Sequence, residues 1–253
     1  MDLGLAGRAY VLTGASRGLG FATAQCLVAD GARVVVSARD AGRVAEAVSR
    51  LGGEGNAAGV AADLADPATP ERLVAAARDS FGRLDGALVS VGGPPRATAA
   101  AVTDAQWQES FATVFLGAVR MARTVAGALE PGGAVAFVLS TSARSPIAEL
   151  GISNGLRPGL AGVAKDMADE LGPRGIRVLS LLPHRIMTDR NRELFAATGD
   201  PQRAQAEAEA AIPLRRLGDP EEFGRVAAFL LSPAASYLTG LSVPVDGGAV
   251  RSL

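Results

Sequence analysis

Short apolar runs recur along the chain, each followed by a longer stretch in which apolar positions return every three or four residues. The runs are "RAYVLTG", "ARVVVSA", "AAGVAAD", "GALVSVGG", "AVAFVLST", "IRVLSLLP" and "LSVPVDGG". They are apolar without strict alternation, which predicts strands covered on both faces. Stretches such as "ERLVAAARDSF" and "EEFGRVAAFLL" predict helices with one apolar face. Strands and helices alternating in this way predict a parallel sheet with helices on both sides. No Pro/Ser-rich linker, charge block or internal repeat divides the sequence, so residues 1–253 read as one doubly wound α/β domain.

One segment breaks the rhythm. Between "TDR" and "IPLRRLG" lies "NRELFAATGDPQRAQAEAEAA", a polar pair of helix patterns hinged at Gly199, Asp200 and Pro201. It is too polar for a core element and follows the carboxyl end of a strand, where open α/β sheets bind ligands. The span from about 189 to 213 is expected to be a movable lid over a site, the alternative being a solvated surface excursion.

Composition narrows the setting. At 253 residues the chain can bury a large core. Its uninterrupted apolar runs fall far short of a bilayer's thickness, and "MDLGLAGRAYVLTG" carries an early acid and runs straight into a strand, so neither a membrane span nor a signal peptide is expected. A single cysteine, Cys26, excludes an internal disulfide framework and fits a reducing cytoplasm. It lies in "FATAQCLVADG" and reads as a small core residue rather than a nucleophile. The net charge of −1 gives no reason to bind nucleic acid or an anionic membrane. Of the 25 basic residues only Lys165 is lysine, a bias that fits a GC-rich genome or a thermophile. With one histidine and one cysteine, no metal site is expected.

The chemistry begins at "LTGASRGLG", between the first strand and the first helix. Gly14, Gly18 and Gly20 form GxxxGxG. Such a loop allows a tight turn and brings backbone close to a pyrophosphate, beside a helix N-terminus whose free N–H groups favour an anion. At the end of the second strand, where an NAD-preferring site places an acid for the ribose 2′-OH, stand Ala38 and Arg39. Arg39, with Arg17 of the glycine loop, suits a 2′-phosphate and hence NADP(H); the alternative is two solvated arginines in an arginine-rich chain.

In these residues the chain resembles the short-chain dehydrogenase/reductase family. "TGASRGLG" is similar to that family's glycine motif, "AADL" to its adenine-contacting step at Asp63 and Leu64, and "GDPEEFGRVAAFLLSPAASYLTGLSVPVDGG" to its C-terminal signature. The resemblance covers nearly the whole chain. It implies a Rossmann-type, seven-stranded, mainly parallel sheet in the order 3-2-1-4-5-6-7. It also implies cofactor contacts from Gly14, Ser16, Arg17, Gly18, Leu19 and Gly20, from Arg39, Asp63, Leu64 and Gly92, and from Arg157, Pro183, Ile186 and Thr188. A small carbonyl or alcohol substrate and a homodimer or homotetramer follow from the same likeness.

The likeness fails at the catalytic positions. Most members of the family use Asn, Ser, Tyr and Lys. Alignment on "GLAGVAKDMADELGPRGIRV" puts Arg157 where the family has Lys and Ser153 where it has Tyr. Ser140, ending "AVAFVLS", keeps the family serine; the expected Asn is Val114, and the usual NNAG is "SVGG" at Ser90 to Gly93. No displaced pair exists: the tyrosines are Tyr10 and Tyr237, and Lys165 is eight residues beyond Arg157. The candidate catalytic residues are therefore Ser140, Ser153 and Arg157. If the stretch is helical, Ser153 and Arg157 share a face at i, i+4. Arg157 supplies a fixed charge but is a poor proton relay, and a serine hydroxyl is too weak an acid to replace a phenol. Pro158 pushes Arg157 away from helical angles unless a helix begins there, and Ser153 then reads as a helix cap or turn residue. His184, in "LLPHRIMTD", is a candidate substitute acid.

Two functions are consistent with these residues. One is an NADP(H)-dependent oxidoreductase with an atypical site. The other is a non-redox relative, lyase-like or a cofactor-gated binding protein, that keeps the nucleotide pocket.

Overall fold

The computed structural model describes residues 2–252. Seven strands form one all-parallel sheet: β1 Ala9–Thr13, β2 Arg33–Ala38, β3 Ala57–Ala61, β4 Gly86–Val89, β5 Ala134–Val138, β6 Arg177–Pro183 and β7 Ser242–Val245. Their order is β3-β2-β1-β4-β5-β6-β7, as the family resemblance implies. Every residue of β1, β4, β5 and β6 is buried, which is why these strands read as unbroken apolar runs.

Helices cover both faces. One layer contains α1 (Gly18–Ala29) and α9 (Pro220–Leu231), the other α3 (Thr69–Phe81), α5 (Gly117–Ala128) and α6 (Gly151–Leu171). α2 (Ala41–Arg50) packs beside β3. α4 (Asp104–Ser110) leads through a π-helical turn, Phe111–Leu116, into α5. The continuous helix from Asp104 to Ala128 is long and apolar enough to cross a bilayer. That differs from the expectation drawn from the short apolar runs, because the π turn joins two of them. Its Val114, Ala118, Met121, Ala122 and Val125 pack into the core under the sheet, as in a core helix.

α6 departs most from its sequence reading. Pro158 lies inside it, as its eighth residue, and Arg157 stays helical. An internal proline costs about 3 kcal/mol by removing a backbone bond and crowding the preceding turn. The burial of Ile152, Leu156 and Leu160 in the same helix opposes that cost. Two glycines tighten the seat further. A Cβ at Gly155 would lie 2.7 Å from the Trp107 ring, and one at Gly159 2.9 Å from Phe115, so α4 and the π turn press directly on α6.

Between β6 and α9 the polar segment folds as α7 (Asp189–Ala196) and α8 (Pro201–Ala210). Asp200 caps α8 by accepting from Arg203 N at 3.0 Å. A small separate cluster of Ala208, Ile212 and Leu217 anchors the segment.

Candidate active site

Parallel strands place every loop that follows a strand at one edge of the sheet, and the candidate residues converge there. The glycine loop after β1 is shaped by steric necessity. Gly14 has φ of +59°, and a Cβ on it would sit 2.8 Å from the carbonyl oxygen of Ser90. At Gly20 a Cβ would meet the Gly14 oxygen at 2.7 Å, so α1 starts hard against the turn. Thr13 Oγ1 donates to Ser90 O at 2.7 Å and accepts from Ser90 N at 2.9 Å, locking the ends of β1 and β4 together.

α1 begins with no side-chain cap and no acid in its first turn, which leaves its first N–H groups and dipole available to an anion. A Cβ on Gly18, whose φ is +61°, would lie 3.7 Å from the Thr188 methyl, and a cavity of about 160 Å³ opens beside both residues, with Arg50, Arg192 and Asp189 on its wall. These features suit a pyrophosphate, so the loop fits the cofactor the motif implies.

Further out, Arg39 is exposed at the end of β2. Arg17 pairs with Glu193 of α7 at 3.3 Å. Asp63 accepts from Ala65 N at 2.9 Å, and the Leu64 carbonyl lies 2.6 Å from where a Cβ on Gly117 would be. Gly92 is exposed on the loop after β4, Pro183 ends β6, and Ile186 is buried. Thr188 begins α7 at its N-cap position without a side-chain cap bond.

Two arginine contacts tie α7 across this edge. Arg17 and Glu193 join it to the glycine loop, and Arg190 donates to Gly93 O at 3.2 Å and Pro94 O at 3.4 Å on the loop after β4.

The catalytic positions are arranged differently from the sequence expectation. Ser153 is neither a cap nor a turn residue: it lies in the first turn of α6, whose N-cap is Leu150, and is 6% exposed. Its hydroxyl meets Ser142 Oγ at 2.9 Å. Ser140 does not reach it; its Oγ accepts from Ser142 N at 3.1 Å and caps the short 3-10 turn Thr141–Ala143. Arg157 is buried, donates from Nη1 to Val138 O at 3.0 Å, and has no partner for Nε. Burial, and then the neighbouring Arg190 charge, push its pKa down to about 10. Val114, 2% exposed, sits in the π turn as part of the core and offers no polar anchor. The His184 ring faces Thr141 through Nδ1 at 3.0 Å. Burial, and then Arg185, lower its pKa, with Asp246 opposing, so the ring is neutral near pH 7.

Three residues of this arrangement carry no motif signal: Ser142, Thr141 and Asn154. Asn154 accepts from Ile147 N at 2.9 Å and donates to Ile147 O at 2.8 Å, closing the loop that precedes α6.

Comparison with known proteins fixes the family. A family model described as enoyl-(acyl carrier protein) reductase matches residues 14–250. The chain belongs to the short-chain dehydrogenase/reductase family. It is 36% identical over 254 residues to human dehydrogenase/reductase SDR family member 4, covering 98% of this chain and 90% of that one. It is 34% identical to L-rhamnose 1-dehydrogenase (NAD(P)(+)) of Azotobacter vinelandii, covering 97% and 98%. Among solved structures it is similar to L-sorbose reductase from Gluconobacter frateurii complexed with NADPH and L-sorbose, with a TM-score of 0.91, 30% identity and all of both chains covered. A short-chain oxidoreductase from Pseudomonas aeruginosa containing an atypical catalytic center gives a TM-score of 0.91 at 28% identity, again over all of both chains.

Proposed function

We propose that this short-chain dehydrogenase/reductase family oxidoreductase uses NADP(H) and acts on a small carbonyl or alcohol through an atypical site. The observation that carries the cofactor reading is the end of β2, where Ala38 leaves no acid and Arg39 stands exposed beside a loop holding Arg17. A 2′-phosphate suits those two guanidinium groups, whereas the acid that would meet a ribose 2′-OH is missing at Ala38, and Asp40 caps α2 by accepting from Arg43 N at 3.0 Å. The glycine cradle and the uncapped start of α1 take the pyrophosphate, and Thr188 and Ile186 flank the nicotinamide end. When bound, the nicotinamide supplies or accepts the hydride.

The chain's own part is positioning and charge. Arg157 holds a fixed cation beside the ribose. Ser140, half-buried at the end of β5, keeps a hydroxyl proton to orient a substrate oxygen, while the buried Ser142–Ser153 pair lacks the acidity of a phenol. The loss of a tuned general acid costs typically 10²–10⁴ in rate, so turnover of generic ketones is slow. The α7–α8 segment acts as the lid, and the setting is a reducing cytoplasm. The second reading, a non-redox protein with the same pocket, is favoured by one observation: Val114, Ser153 and Arg157 form no proton relay.

Titration with NADPH and NADH by nucleotide fluorescence tests the proposal. NADPH is expected to bind at least about tenfold tighter, a gap of roughly 1.4 kcal/mol. Arg39→Ala should erase most of that gap. Equal affinities for the two nucleotides would overturn the cofactor assignment.

A further inference from the structure

Arg177 and Arg157 are both buried, and the protein treats them differently. Arg177 donates to the carbonyls of Leu230 at 2.7 Å, Ser232 at 2.9 Å and Leu238 at 3.4 Å. It serves as a structural tie with its donors occupied. Arg157, 5% exposed, makes one such bond, to Val138 O. Among the described residues its Nε is enclosed without a partner, and no carboxylate influences its charge. A buried cation short of acceptors costs several kcal/mol. The charged group acting on it is a second cation, Arg190 of α7, whose guanidinium is bonded to Gly93 O and Pro94 O on the loop after β4.

Acids elsewhere on this edge do not neutralise the pair. Glu149 is held by Arg96 at 3.0 Å. The Asp246 carboxylate accepts from Gly248 N at 2.9 Å and Val250 N at 2.8 Å, and lies toward His184. Nor does the cofactor supply the missing anion. Its pyrophosphate belongs at α1 and its 2′-phosphate at Arg39, while the ribose hydroxyls near Arg157 are neutral.

We infer that Arg157 and Arg190 together receive a carboxylate of the substrate, so that the substrate class is an oxo acid or hydroxy acid. A guanidinium fork matches a carboxylate with two parallel bonds, which an ammonium at position 157 could not do. The inference rests on the proposed site being where substrate binds; it does not rest on hydride transfer.

The test is isothermal titration calorimetry on the full chain, with and without NADP+, at constant ionic strength. The probes are 4-oxopentanoate, 2-oxobutanoate and their methyl esters. The acids should bind at least about tenfold tighter than the esters, and Arg190→Gln and Arg157→Met should each shrink that preference to less than about threefold. Circular dichroism checks that Arg157→Met folds; if it does not, Arg190→Gln, on an exposed helix, decides. Equal binding of acid and ester, no binding of either acid, or a preference unmoved by the folded variants overturns the inference. NADPH titration in parallel separates the two claims. A protein that prefers the acids but fails to bind NADPH keeps this inference and loses the oxidoreductase reading. One that binds NADPH but treats acid and ester alike does the reverse.

Discussion

The hydroxyls of Ser142 and Ser153 meet at 2.9 Å inside the protein, joining the turn after β5 to the first turn of α6. Each is the other's buried partner, so removing one leaves the other unsatisfied. Ser142→Ala and Ser153→Ala should each lower stability by about 1 kcal/mol, and the double variant by less than their sum. Urea unfolding of the four proteins measures the coupling. NADPH affinity should be nearly unchanged in Ser153→Ala.

Gly14 offers the sharper steric test. With φ of +59° and the Ser90 oxygen 2.8 Å from its absent Cβ, Gly14→Ala should cost about 1–3 kcal/mol and weaken nucleotide binding as the turn shifts. Thermal unfolding and nucleotide fluorescence read the two effects separately.

Glu193 occupies the guanidinium that we assign to the 2′-phosphate. Their pair is exposed on both sides and worth at most about 1 kcal/mol. Glu193→Gln should therefore tighten NADPH binding by no more than about fivefold and leave NADH unchanged. An equal gain for both nucleotides would separate Arg17 from the phosphate.

His184, the only histidine, gives a clean proton NMR signal. Its folded pKa lies below the ordinary 6.5. Above that pH both folded and unfolded rings are neutral and contribute nothing. As pH falls below 6.5 the unfolded ring takes a proton first, so stability falls until the folded pKa is passed. The ring should titrate below 6.5, and His184→Gln should flatten this acid-side loss.

Phe111 and Phe115 stack at 5.1 Å with planes 11° apart, and Phe111 and Leu116 are each more than 40% exposed. An apolar surface of this kind on the π turn fits a homo-oligomer contact. Sedimentation should show dimers or tetramers at micromolar concentration. Phe111→Asp combined with Leu116→Asp should shift the protein toward monomer while its circular dichroism is kept.

Much of this was legible beforehand, and the reason is local. Strands such as "AVAFV" and "RVLSLLP" are buried along their whole length, so composition alone marks them. The glycine loop was legible because only glycine tolerates those angles and contacts. Pro158 misled, since propensity is a local quantity and α6 is held by Ile152, Leu156 and Leu160 against the sheet. The partner of Ser153 was hidden for a related reason. Ser142 is eleven residues away, in a turn with no periodic pattern to place it. The π turn at Phe111–Leu116 likewise has no sequence signature among its apolar neighbours.

α7 is eight residues long and is held at Arg190 by the loop after β4 and at Glu193 by the glycine loop. A helix that short turns as one bar. In the proposed site, a movement of α7 that frees a bound nucleotide would also shift Arg190, which we assign to the substrate carboxylate. Cofactor exchange and product release would then share a single opening step, and a burst of product limited by that step is the kinetic trace to expect.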